Sequence, residues 1–150
     1  MNSIYYLLPF IAGAALGAQV AINGKLLSGL ASPLLTSTVS FAIGTIGLSM
    51  AYLIAVKLGM QNVPSIHQIL QTTWWMWTGG LLGAFYIFTT IIASPKIGFA
   101  NLFSLVVAGQ IIFALIVDHF GILGTVHTVN AARILGVAFL ILGVYTIQTH

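Results

Sequence analysis

The chain has 150 residues, of which four are basic and one is acidic, and hydrophobic residues make up 59% of it. A soluble domain carries about one charge in every four residues, so this composition excludes a soluble globular domain, a disordered chain and a coiled coil. What remains is a polytopic helical membrane protein. The formal charge of +3 comes from Lys25, Lys57, Lys96 and Arg133 against Asp118. These cations are scattered and form no basic patch for nucleic acid.

Five apolar stretches follow in chain order, each near the roughly 20 residues that a transmembrane helix needs. They run from Ile4 to Ile22, from Leu34 to Val56, from Trp74 to Ala93, from Ile97 to Val117 and from Ala132 to Ile147. The fold class is therefore an all-α integral membrane protein with five transmembrane helices in one domain over residues 1–150. Ala12-Gly13-Ala14 looks like a signal-peptidase site, but no basic segment precedes it, so the first span is expected to be retained.

The links are short. Asn23-Gly24-Lys25 to Ser32-Pro33 joins the first two spans, and Ser94-Pro95-Lys96 ends the third. In the longest link, Lys57 to Thr73, Ser65 is placed to cap a short interfacial helix containing Ile66, Ile69 and Leu70. Trp74, Trp75 and Trp77 read as an interfacial aromatic belt, with a cation-binding cage as the alternative. Thr128 or Asn130 is placed to cap the last helix.

Small residues recur at helical spacing. Gly13 and Gly17, Gly44 with Ser37, Ser40, Gly47 and Ala51, Gly79 and Gly83, and Gly136 and Gly143 form faces suited to helix packing. Gln19 and Asn23 share another face of the first span. An amide facing lipid would leave donors and acceptors unmet. Gln19, Asn23 and Gln110 therefore either line a polar cavity, as substrate contacts, or bond between helices, and Tyr86 is a further substrate-contact candidate. Asn101 follows Pro95 closely and reads as a loop or interfacial residue.

Asp118 is the only carboxylate. It is either an interfacial partner for Arg133 or a group for proton coupling or gating. Cysteine is absent, which removes disulfides, thiolate metal sites and a cysteine nucleophile. His67, His119, His127 and His150 show no metal-ligand spacing. No catalytic triad, carboxylate pair or phosphate loop can be assembled, so no catalytic residue, metal, cofactor or enzymatic activity is expected.

With the N-terminus in the cytoplasm, Lys57 and Arg133 fall inside and Lys25 and Lys96 fall outside. Orientation follows this bias, and here it cancels. The chain either takes one orientation through subtler cues or inserts both ways. Opposite copies would then form an antiparallel homodimer, the single-chain equivalent of an inverted repeat.

An ordered set of segments resembles a known family. Gly13-Ala14-Ala15-Leu16-Gly17-Ala18-Gln19-Val20-Ala21-Ile22-Asn23, Ser40-Phe41-Ala42-Ile43-Gly44-Thr45 and Gly79-Gly80-Leu81-Leu82-Gly83-Ala84 are similar to the first three helices of the YdcZ branch of the drug/metabolite transporter superfamily. Val107-Ala108-Gly109-Gln110, Asp118-His119-Phe120-Gly121 with Gly124, Arg133-Ile134-Leu135-Gly136 and Leu142-Gly143-Val144 complete the resemblance over nearly the whole chain. It implies a five-helix unit equivalent to half of a ten-helix transporter, a bacterial inner-membrane location and an exporter role.

The small multidrug-resistance members of that superfamily carry a membrane-embedded Glu in the first helix. This chain has no Glu, so cation exchange through that acid does not carry over. Neutral amides favour a neutral, zwitterionic or weakly polar substrate. The leading expectation is a secondary transporter of a small molecule, working in the bilayer as a homodimer. The alternative is a non-transporting subunit that packs against a larger or related chain.

Overall fold

Hydrophobicity long enough to cross a bilayer, combined with internally satisfied backbone, selects helices. The computed structural model describes residues 4–122 and 128–149 and contains five helical candidate spans among them. The helices are α1 (Ile4–Leu30), α2 (Pro33–Lys57), α3 (Ile66–Leu70), α4 (Gly79–Ile97), α5 (Phe99–Phe120) and α6 (Ala131–Thr149). A 3₁₀ turn, Trp74–Thr78, precedes α4 and completes the third span.

The helices cluster into two units, Met1–Ile92 and Ala93–His150. In the first, α1 and α2 pack as a helical hairpin. Its buried residues are Val20 and Asn23 of α1, Thr36 and Ser37 of α2, and Ile87, Thr90 and Ile91 of α4. In the second, α5 packs on α6.

Two helix ends differ from expectation. The first link was placed from Asn23 onward, yet α1 continues to Leu30. Gly24 and Lys25 end the hydrophobic run without breaking the hydrogen-bond ladder, and Leu26, Leu27 and Leu30 beyond them are again half-buried. Asn23 therefore lies inside a helix. The actual link is two residues long. Ala31 takes a left-handed φ of 53°, and its amide donates to the Leu27 carbonyl at 2.8 Å. Ser32 then caps α2, its hydroxyl oxygen accepting from the Leu35 amide at 3.3 Å, with Pro33 at the first helical position. Proline suits that position because its missing N–H would have no helical partner there.

The third span was expected to stop at Ser94-Pro95, yet α4 runs through Pro95 to Ile97. The break falls at Gly98, whose φ of 79° and ψ of 162° are accessible in practice only to glycine. Its amide donates to the Ser94 carbonyl at 3.0 Å, and its carbonyl accepts from the Leu102 amide at 3.1 Å. One residue thus ends α4 and begins α5. Asn101 lies in the first turn of α5, its Nδ2 donating to the Ile97 carbonyl at 2.9 Å.

The two cap readings at Ser65 and Asn130 agree with the structure. Ser65 and Gln68 form a reciprocal capping box on α3. Asn130 accepts from the Arg133 amide at 2.9 Å at the start of α6. Trp74 is 80% exposed, with Trp75 and Trp77 also outside the packed residues. Trp77 Nε1 donates to the Thr72 hydroxyl at 3.0 Å. Gly124, His127 and His150 lie outside the described residues.

Candidate functional site

The polar side chains inside the spans divide by chemistry into hydroxyls and amides. The hydroxyls satisfy themselves locally. Thr36 donates to the Ser32 carbonyl, Ser37 to Pro33 and Thr38 to Leu34, at 2.8, 2.8 and 2.9 Å, and Thr90 donates to Ile87 at 2.8 Å. This back-bonding spends their protons within their own helices and leaves lone pairs on the oxygens.

Of the amides, Asn101 bonds back to the Ile97 carbonyl in the same manner, whereas Gln19, Asn23 and Gln110 do not. Asn23 is only 3% exposed, and its buried Nδ2 has no hydrogen-bond partner. A buried unpaired donor costs about 1–3 kcal/mol. Gln19, one turn earlier on the same face, is half-buried, as is Tyr86. These three belong to the first unit, whereas Gln110 is exposed in the second. Asn101 also carries a buried oxygen, Oδ1, without a partner.

A groove of about 430 Å³ lies between α2 and α4. Phe41, Phe85 and Phe88 wall it, and Ser37 and Thr38 add two oxygens. These aromatic residues and Thr38 escaped the sequence reading. Their i, i+3 and i, i+4 spacings (Phe85 with Phe88, Ser37 with Phe41) resemble ordinary apolar stripes. The groove arises only when two helices are set side by side.

Of the predicted packing glycines, Gly83 makes a close approach. A Cβ built there would stand 3.4 Å from the Phe41 ring. At Gly13, Gly44, Gly79, Gly136 and Gly143 the same construction meets nothing within 4 Å. Gly17 is half-buried.

Asp118 and Arg133 are brought together across 15 residues of sequence. Arg133 Nη1 donates to Asp118 Oδ2 at 3.2 Å, with both side chains partly exposed. Each sits at the unfavourable end of its helix, since Asp118 is in the last turn of α5 and Arg133 in the first turn of α6. The helix dipoles disfavour an anion and a cation at those ends, and pairing offsets both. Next to the pair, His119 Nδ1 accepts from the Val129 amide at 3.4 Å. Gly121, left-handed with φ 61°, closes α5. No cluster of metal-ligating side chains occurs among the described residues.

The family model described as "Putative inner membrane exporter, YdcZ" matches residues 4–146. The chain belongs to this family. It is thus an inner-membrane exporter-family protein of the drug/metabolite transporter group, built from five candidate transmembrane helices. The YdcZ family is a transporter family and not an enzyme family. No curated protein and no solved structure matched the chain.

Proposed function

We infer that this YdcZ-family chain is a secondary transporter that moves a neutral or weakly polar small molecule as an antiparallel homodimer with dual topology. The unpaired Asn23 amide carries this reading: a transport protein keeps donors unspent for its cargo. Gln19, Asn23, Tyr86 and Gln110 are the proposed substrate contacts, with the two units acting as one five-helix domain. Asn23 and Gln19 supply hydrogen bonds and no compensating charge, which suits an uncharged cargo. The glycine faces of Gly13, Gly44, Gly79, Gly136 and Gly143, open within one chain, supply close contacts between copies about which the subunits rock. Asp118, held by Arg133, acts as a gate at the end of α5.

The test uses the absence of native cysteine. A single Cys at the C-terminus is labelled in intact cells with a membrane-impermeant maleimide, before and after permeabilisation. About half-labelling before permeabilisation is the expected result, because opposite copies place that terminus on opposite sides. Full or absent labelling means one orientation and overturns dual topology. Gln19→Ala should cut flux in liposomes at least tenfold without loss of folded protein. Undiminished flux removes Gln19 from the pathway. A larger chain that co-purifies in stoichiometric amount, with no flux from the purified protein, replaces the transporter by an accessory subunit.

A further inference from the structure

His119 lies in the last turn of α5, one residue after the acid of the Asp118–Arg133 pair. Its Nδ1 accepts from the Val129 amide at 3.4 Å. Val129 stands two residues before α6, so this bond ties the end of α5 to the entry of α6. An imidazole nitrogen accepts only when it carries no proton, so the bonded ring is neutral with its hydrogen on Nε2. An imidazolium donates from both nitrogens. Protonation therefore sets one N–H against another, which abolishes the bond.

The ring also lines a cavity of about 290 Å³ between α5 and α6, and every other lining residue is apolar, among them Leu115, Phe120, Ile134 and Val137. The Phe120 ring meets the imidazole edge to face, with centroids 5.2 Å apart. No side chain in that lining accepts a hydrogen bond from a second N–H, and an apolar wall is costly for a cation. The other ionisable side chains of the two helices are Asp118 on α5, Arg133 in the first turn of α6 and Tyr145 toward its far end. His127, in the link between them, lies outside the described residues. Asp118 attracts an imidazolium and Arg133 repels it.

We propose that His119 is a proton-operated latch between α5 and α6: neutral, it holds the entry of α6 through Val129, and protonated, it lets go. The proposal rests on the gate assigned to Asp118 above and gives that gate its regulation by pH. Arg133 follows Val129 by four residues, so releasing Val129 loosens the segment that carries the arginine. A second cation one residue from Asp118 also competes with Arg133 for the carboxylate. Acid thus weakens the ion pair without protonating Asp118. The last turn of a candidate span lies at the water boundary, where pH acts directly.

Full-length protein in nanodiscs tests this, and the absence of native cysteine allows two defined labels. Spin labels on Phe113→Cys and Thr128→Cys, diluted with unlabelled chain, read the distance from α5 to the α6 entry within one copy by double electron–electron resonance. From about pH 8 to about pH 5, the interval in which histidine changes charge, the separation should grow by about 3 Å, the length of the bond given up. Spectra of ¹⁵N-histidine protein, with the His119 signal identified by its loss in His119→Asn, should pass from the Nε2–H tautomer to the doubly protonated ring with the same midpoint. His119→Asn keeps an acceptor near the Nδ1 position and takes no proton, so it should hold the short distance at both pH values. His119→Lys, charged and without an acceptor, should show the long distance at both. If His119 stays neutral throughout, if it takes up its proton and the distance does not change, or if His119→Asn opens as wild type does, the latch is overturned. The gate at Asp118 stands or falls separately, on whether Asp118→Asn leaks. Where a variant fails to accumulate, the wild-type midpoints decide: coincident midpoints support the latch and separate ones overturn it.

Discussion

Asp118 and Asn23 illustrate how differently two polar residues are treated within the same apolar chain. The carboxylate is paired, at 3.2 Å, with the arginine whose helix dipole most needs an anion. The Asn23 amide is enclosed without a partner. Because both members of the ion pair are partly exposed, Asp118→Asn should cost up to about 1 kcal/mol of stability. Chemical unfolding in detergent measures this, and a loss of several kcal/mol would mean the pair is far less exposed than the chain makes it. In flux assays the same variant should leak, as expected of a gate. Selective loss of proton-driven flux would instead give Asp118 the coupling role. The ion pair was foreseeable because the chain has one carboxylate and few cations. The shared face of Gln19 and Asn23 was legible too, but not that Asn23 Nδ2 would be enclosed without a partner, because spacing does not say what a face packs against.

At the scale of elements, five spans were readable because hydrophobic length is a strong signal. Their ends were less readable, because hydropathy marks where lipid contact stops and not where a helix stops. α1 outlasts its apolar run by two turns, and α4 passes through a proline to end at Gly98. The Gly98 break has a direct test. A Cβ there meets nothing within 4 Å, so the cost of Gly98→Ala is conformational and should be about 1–3 kcal/mol. Gly80→Ala, also in open space but in the first turn of a regular helix, should cost nothing and can gain up to about 1 kcal/mol of helix propensity. Unfolding titrations in detergent compare the two. Equal effects would show that the helix break is not set by the backbone of residue 98.

For the whole molecule, the proposed dual topology rests on the balance of four cations. With the N-terminus inside, Lys57 and Arg133 oppose Lys25 and Lys96, so one substitution should tip the orientation. Lys57→Ala leaves the inverted orientation with the greater inside charge. It should therefore draw the C-terminus into the cytoplasm and reduce labelling of a C-terminal Cys in intact cells. Lys25→Ala should raise it. If neither variant moves the labelled fraction, charge balance does not set the topology.

By itself the sequence determined the bilayer as solvent, the five spans, the charge balance and the family, because composition and hydrophobic length depend on no contact. Its ordered glycine, amide and Asp-His segments already pointed to the YdcZ branch, and the family model matches residues 4–146. Tertiary structure decided which polar groups find partners. It joined Asp118 to Arg133 and set Phe41 against Gly83 in the α2–α4 groove. It also enclosed Asn23 and left Gln110 exposed on α5. Helical spacing says which residues share a face, but only packing says what that face meets, and in hydrocarbon that difference decides the cost of an amide.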